Sequence, residues 1–436
     1  MLLSLNKYFH RPFLFLYYVA MMAFLLSWTN PDVAPPEAWR YGFLVALIIP
    51  LLFDGTAMTI AIISIFYTVS YYGYAFSYMP QSIMIYVWIL VLCIFFNRKS
   101  NKKYYWLEGW RSFIFFGVYV IIINTLTSFA PLIANGGKVI FCILLPFFLT
   151  KDRNESLRIL EHSFIIISII MSIQYLMIGD QAILVQDQDG SGLTRTGWTD
   201  PNYYASIIGL GVVISVMLLM EQKERTIFSF LYYGGAIVLS MIVVLLNASR
   251  GASLAIASSV LLLIFMSKVK NKYKIIVIAF MAIMLMVLYT HGYFELLQVR
   301  VAAGNETAGG RTLIWMKKLD AFMSLNNPFE ILFGVGFEKG FVLGTGYPRS
   351  FHSDYVCALV DYGVLGFSLF VTMLIMPVIK APKSRRSVIF ALVAYLWVIG
   401  LSLCPLTEGF LPYHIFLFYV FAKMQAFREQ DIIKLN

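Results

Sequence analysis

Apolar stretches of bilayer length recur from one end of this 436-residue chain to the other. A helix crosses the roughly 30 Å hydrocarbon core of a membrane in about 20 residues. Only a helix or a closed barrel can bond all its backbone polar groups in lipid. The stretches fall at 13–28, 40–53, 55–72, 81–97, 110–128, 135–150, 159–178, 202–220, 227–247, 251–267, 275–291, 353–377, 387–404 and 410–424. They predict an all-α integral membrane protein of about fourteen transmembrane helices, within a range of 12–14. Asp54 and Gly55 alone divide the second stretch from the third, and Pro405 divides the last two. Composition supports a single membrane-embedded unit over residues 1–436: 60% of the residues are hydrophobic and 13% charged, with a mean hydropathy of +0.78. A soluble domain has nearer a quarter charged. The first stretch lacks a small-residue cleavage site and is followed by further spans, so it reads as a retained helix.

Lys and Arg set the orientation, because cytoplasmic loops carry an excess of them. With both ends in the cytoplasm, 23 of the 33 basic residues fall inside. They include Arg98, Lys99, Lys102 and Lys103, then Lys268, Lys270, Lys272 and Lys274, then Lys380, Lys383, Arg385 and Arg386. The net charge of +10 is thereby explained as a topology signal and gives no reason to invoke nucleic acid. Cys93, Cys142, Cys357 and Cys404 all fall in apolar stretches, without CxxC or Cys/His spacing. They are expected to be buried free thiols, with neither a disulfide nor a metal site.

Outer gaps are short except 179–201 and the long outer loop 292–352. That loop holds Arg300, Arg311, Lys317, Lys318, Lys339, Arg349 and His352. Long loops escape the charge bias, so a single Lys there is ordinarily a solvated charge. Basic residues at helix mouths carry more information. Arg195 precedes Thr199-Asp200-Pro201-Asn202, where Asp200 suits an N-cap and Pro201 the first helical position. Arg250 lies in the tight turn Ala248-Ser249-Arg250-Gly251, and His352 precedes Ser353 and Asp354 at the head of another span. All three helices run from outside to inside, so their N-termini, with unbonded N–H groups, open outward. Converging, they would make an anion site, and the planar fork of Arg suits phosphate. The competing reading is an interfacial Arg that snorkels. Asp361, nine residues beyond His352, lies across the helix from it and is a poor partner for it. Residues 313–325 predict a short helix lying on the membrane, ended by Asn327-Pro328, with Gly334-Val335-Gly336 as a flexible turn behind it.

In this order the segments resemble the O-antigen polymerase and O-antigen ligase family of bacterial envelopes. The resemblance rests on Arg195-Thr196-Gly197-Trp198-Thr199-Asp200-Pro201-Asn202, Ser249-Arg250-Gly251-Ala252, Gly310-Arg311 with Trp315, Asn327-Pro328 leading into Phe333-Gly334-Val335-Gly336, and His352-Ser353-Asp354-Tyr355 with Gly363 and Gly366. It covers roughly residues 190–370. One departure is Ser353, where many members have Asn. The family moves glycans from undecaprenyl diphosphate carriers at the outer face of the inner membrane. It is similar to other multi-span glycosyltransferases with lipid-linked donors, those of the GT-C kind, and its ligases need no metal. The resemblance therefore implies a metal-independent glycosyltransferase in the bacterial inner membrane, with a periplasmic site and no cofactor. It implies that Arg195, Arg250 and Arg311 act on the diphosphate and His352 on the acceptor. Asp200, Asn202, Ser249, Arg300, Lys318 and Arg349 are carried as substrate-binding candidates.

The implied partners are a lipid-linked oligosaccharide donor and acceptor, the bilayer, and a chain-length regulator protein. A polymerase of lipid-linked repeat units is the leading expectation. A ligase acting on lipid A-core is the alternative on the same scaffold. A flippase or other transporter is the rival from a different class. It would favour paired charges at mid-membrane and duplicated halves, whereas the sequence has only a few intramembrane acids and no duplicated halves.

Overall fold

The computed structural model describes Leu16, Tyr17 and Ala20, and residues 110–127, 153–178, 184–185, 195–196, 201–221, 226–303, 310–346, 350–404, 406 and 413–427. The expected spans 40–53, 55–72, 81–97 and 135–150 lie outside the described residues, as does most of 13–28.

Among the described residues the chain is helical apart from a two-residue antiparallel pair, β1 (Leu184–Val185) with β2 (Arg195–Thr196). The helices are α1 (Trp110–Thr127), α2 (Arg153–Ile178), α3 (Pro201–Glu221), α4 (Ile227–Leu246), α5 (Arg250–Met266) and α6 (Asn271–Thr290). Four shorter ones follow: α7 (Glu295–Ala303), α8 (Arg311–Met323), α9 (Pro328–Phe333) and α10 (Phe337–Val342). The chain then returns through α11 (Asp354–Ile379), α12 (Arg386–Gly400) and α13 (Tyr413–Met424). Six of these are long and apolar enough to cross a bilayer: α1, α2 over 157–177, α3, α4, α6 and α11. The apolar helices α5 and α12 are shorter and lie along one another, tied by Ser259 Oγ donating to the carbonyl of Ala391 at 2.8 Å.

Helix α3 is the centre, with 94% of its apolar window buried against 17% for α6. It is flanked by α2, α4 and α5. Small residues let these backbones approach, as helices in lipid require. A Cβ on Gly211 would land on Ser168, and one on Gly209 would crowd Tyr395 and Ile256. Ser168 Oγ donates to the carbonyl of Ile208 at 2.8 Å and meets Ser240 Oγ at 2.6 Å, joining α2, α3 and α4. At the far end of α3, Arg385 grips Glu221 with two N–H groups and holds Gln425 with a third bond of 2.7 Å.

The loop 292–352 is folded. Helix α8 forms where a short helix is expected, with Met316 and Met323 exposed. Asn327-Pro328 does more than end it. Asn327 Oδ1 accepts from the N–H of Phe329 at 3.1 Å, and Pro328 takes the first position of α9. Gly334-Val335-Gly336 is not the flexible turn expected of it. Helix α11 breaks at Gly363, whose φ of 68° and ψ of −173° are non-helical. A break of this kind frees the carbonyls one turn earlier. Those of Val360 and Asp361 accept from the N–H groups of Val335 and Gly336 at 3.1 and 3.0 Å. Tyr119 Oη of α1 adds bonds to the carbonyls of Phe333 and Tyr362, at 3.1 and 2.8 Å. Gly334 has a φ of 90°, and a Cβ on it would land on the carbonyl of Asp361. The glycines allow a docked backbone here, not a mobile one.

Candidate functional site

The expected span 387–404 ends four residues early, at Gly400. Pro405 has no N–H for a helix and disfavours helical geometry at the residue before it. The chain turns after Gly400 instead, and the N-termini of three helices meet that turn. The N–H of Asp354, first residue of α11, donates to the carbonyl of Leu403 at 3.0 Å. Asp354 Oδ1 accepts from the N–H of Leu406 at 3.0 Å, and the N–H of Ser353 donates to Cys404 Sγ at 3.0 Å. The N–H of Cys404 in turn donates to Tyr203 Oη of α3 at 3.2 Å. For α5, a Cβ on Gly251 would land on Ser402 Oγ.

The mouths of α3 and α5 also join directly. Ser249 is the N-cap of α5, accepting from the N–H of Ala252 at 3.4 Å while donating to Asn202 Oδ1 at 3.2 Å. Ala248 makes the tight turn from α4 with a φ of 48°. Arg250, the first residue of α5, is half-buried at this junction.

His352 stands one residue before the cap of α11 and is half-buried. Its φ of 49° is uncommon for a side-chain-bearing residue and costs on the order of 1 kcal/mol or more. Its neighbour Phe351 holds it there. Phe351 is fully buried, and its carbonyl accepts from Trp315 Nε1 at 2.7 Å. Lys318 Nζ lies 4.2 Å from the Phe351 ring centroid and donates to the carbonyls of Gly340 and Phe341 at 2.7 and 3.1 Å. Arg311, Trp315, Lys318 and Phe322 share one face of α8, at spacings of four, three and four residues. Half-buried Arg311 thus enters from the same face that grips Phe351. Before it, Gly310 has a φ of 78°, and a Cβ there would meet nothing within 4 Å.

Lys318 departs from the expected solvated loop face: it is fully buried, with its ammonium on carbonyls and over the Phe351 ring. Arg195 is in β2, where its backbone pairs with Val185, and Arg300 is on α7; their side chains are outside the described ones. Asp200 and Arg349 lie outside the described residues, while Pro201 begins α3 as expected. Asp361 is buried, accepting from Cys357 Sγ at 3.2 Å, on the part of α11 that carries the docked glycines. Cys357 and Cys404 are buried free thiols, though Cys404 sits in the turn and not in a helix; Cys93 and Cys142 are outside the described residues. Sequence reasoning missed Tyr203, Trp315 as a donor, and the turn after Gly400. Pro405 was the signal available for the last.

Chemically, the junction joins helix N-termini, an Arg at one of them and a His beside another. The positive ends of helices and a guanidinium suit an anion, and an imidazole nearby suits proton transfer. A search of curated proteins finds none that matches the chain. The stretch from within α4 to the middle of α11 is recognised, and it holds Ser249, Arg250, Arg300, Arg311, Lys318, Arg349 and His352 but not Arg195, Asp200 or Asn202. Residues 235–371 match the family model described as O-antigen ligase, and over that stretch this multi-pass membrane protein is similar to the O-antigen polymerase and ligase family.

Proposed function

We propose that the protein polymerises undecaprenyl-diphosphate-linked oligosaccharide repeat units at the periplasmic face of the bacterial inner membrane. The observation that carries this reading is the junction of three helix N-termini on one short turn, with Arg250 and His352 beside it. A hydroxyl oxygen of the acceptor sugar attacks the anomeric carbon of the donor. The bond from that carbon to the diphosphate oxygen breaks, and undecaprenyl diphosphate leaves with the electron pair. His352 takes the hydroxyl proton, which makes a weak nucleophile competent. Arg195, Arg250 and Arg311, with the helix N-termini, offset the charge growing on the diphosphate, so the step runs without a metal. Asp200, Asn202, Ser249, Arg300 and Arg349 contact the glycan or diphosphate. The full chain has about fourteen spans in a GT-C-like arrangement, with both termini in the cytoplasm, and works beside a chain-length regulator.

A ligase that moves finished glycan to lipid A-core is the second reading, favoured by the description of the matching family model. Nothing favours the flippase. Purified protein in nanodiscs, given a lipid-linked repeat unit alone, separates the two. Elongation identifies a polymerase. Inertness until lipid A-core is added identifies a ligase, and inertness in both cases overturns the proposal.

A further inference from the structure

Gln174 of α2 is fully buried, and neither its amide oxygen nor its amide nitrogen has a hydrogen-bond partner among the described residues. Leaving such a group unbonded costs the full desolvation of its donor and acceptor. Folding alone would favour Leu here, as the neighbouring positions Ile167, Ile170 and Met171 are apolar and buried.

The register of α2 on α3 places Gln174 at the site. The helices are antiparallel neighbours: Ser168 bonds the carbonyl of Ile208 and meets Gly211, and Tyr204 Oη donates to the carbonyl of Met171. Six residues beyond Ser168, Gln174 stands about 9 Å further along α2, which on α3 is the level of its first turn. Asn202, bonded to Ser249, is in that turn, and Tyr203 ties it to Cys404. Gln174 lies about 60° around α2 from Met171. A buried amide with no partner among the described residues thus sits level with the junction of helix N-termini.

We propose that Gln174 is a substrate-binding residue that reads a hydroxyl group of the donor sugar nearest the diphosphate. The inference rests on the function proposed above. A neutral amide offers one acceptor and two donors, which complements a hydroxyl, itself both donor and acceptor. A diphosphate offers acceptors only, and arginines and helix N-termini already serve it. Losing the bond leaves the sugar hydroxyl unpaired in a closed site, a deficit that separates substrates strongly.

The test uses the full-length protein in nanodiscs and two ligands, undecaprenyl diphosphate bearing the oligosaccharide and undecaprenyl diphosphate alone. Gln174→Leu removes the amide at similar volume, so Tm without ligand holds or rises. The glycosylated lipid should bind the variant roughly tenfold or more weakly, while bare undecaprenyl diphosphate binds both proteins alike. Equal binding of the glycosylated lipid by variant and wild type overturns the proposal. Equal weakening of both lipids overturns the sugar assignment. A fall in ligand-free Tm makes Gln174 a structural residue and overturns it also. Wild-type protein that binds neither lipid overturns the proposed function, and this inference with it.

Discussion

Phe351 and His352 are adjacent, and the structure treats them oppositely. Phe351 is enclosed by Trp315 and Lys318, while His352 is held in a left-handed backbone conformation beside the junction. Because the hub is Phe351, removing the imidazole should leave the architecture standing. His352→Ala is expected to lower glycan transfer by about a hundredfold or more, the scale of a lost general base. Insertion and the Tm gain on binding donor should be kept. Transfer close to wild type across neutral pH would make His352 a structural element and send the search for a base elsewhere. Lys318 makes the opposite prediction. Lys318→Ala removes a buried ammonium from two carbonyls and a ring and leaves a cavity, so a loss of about 2–4 kcal/mol is expected. Exposed Lys317→Ala should change stability by less than about 0.5 kcal/mol. Denaturation in detergent compares the two; equal effects would contradict the inward placement of Lys318.

At the scale of elements, the docked strap and the broken helix α11 depend on one another. The break at Gly363 supplies the carbonyls, and Gly334 and Gly336 bring the matching N–H groups close enough to bond them. Gly334→Ala puts a methyl on the carbonyl of Asp361 at a positive φ. Backbone strain and overpacking each cost about 1–3 kcal/mol. The expected result is a lower Tm together with proteolytic opening in 325–346, which wild type resists. Gly310→Ala is the control, since its φ is also positive but a Cβ there meets nothing. Similar proteolysis in both variants would show that the strap is not held by this junction. The strap also connects chemistry to packing. The α8 face that carries Arg311 reaches Phe351, and through Gly340 and Lys318 it reaches α10.

Across the described residues, the N-termini of α3, α5 and α11 gather at one end of the bundle and the Arg385–Glu221 pair closes the other. The basic residues at 268–274 and 380–386 predict that the closed end faces the cytoplasm. Single cysteines in a cysteine-free background test this. In intact cells, an impermeant thiol reagent should label position 306 and miss position 271 until the membrane is opened. The reverse pattern would turn the junction toward the cytoplasm, where a periplasmic glycan could not reach it.

By itself the sequence determined the class of fold and nominated the residues of the candidate site. Bilayer-length apolar stretches demand helices, because unbonded backbone is too costly in lipid. Pro201, Ser249 and Asn327-Pro328 mark helix starts through local rules that act within a turn. Only the tertiary structure decided which of those starts meet. Residues 203, 251 and 354 converge because 401–404 passes between them, and that contact joins positions as far as 201 residues apart. Tertiary packing also turned Lys318 inward and made Gly334-Val335-Gly336 a docked strap. Sequence spacing gives the face a residue occupies on its own helix, but a carbonyl freed by a break in a distant helix is visible only once the two have packed.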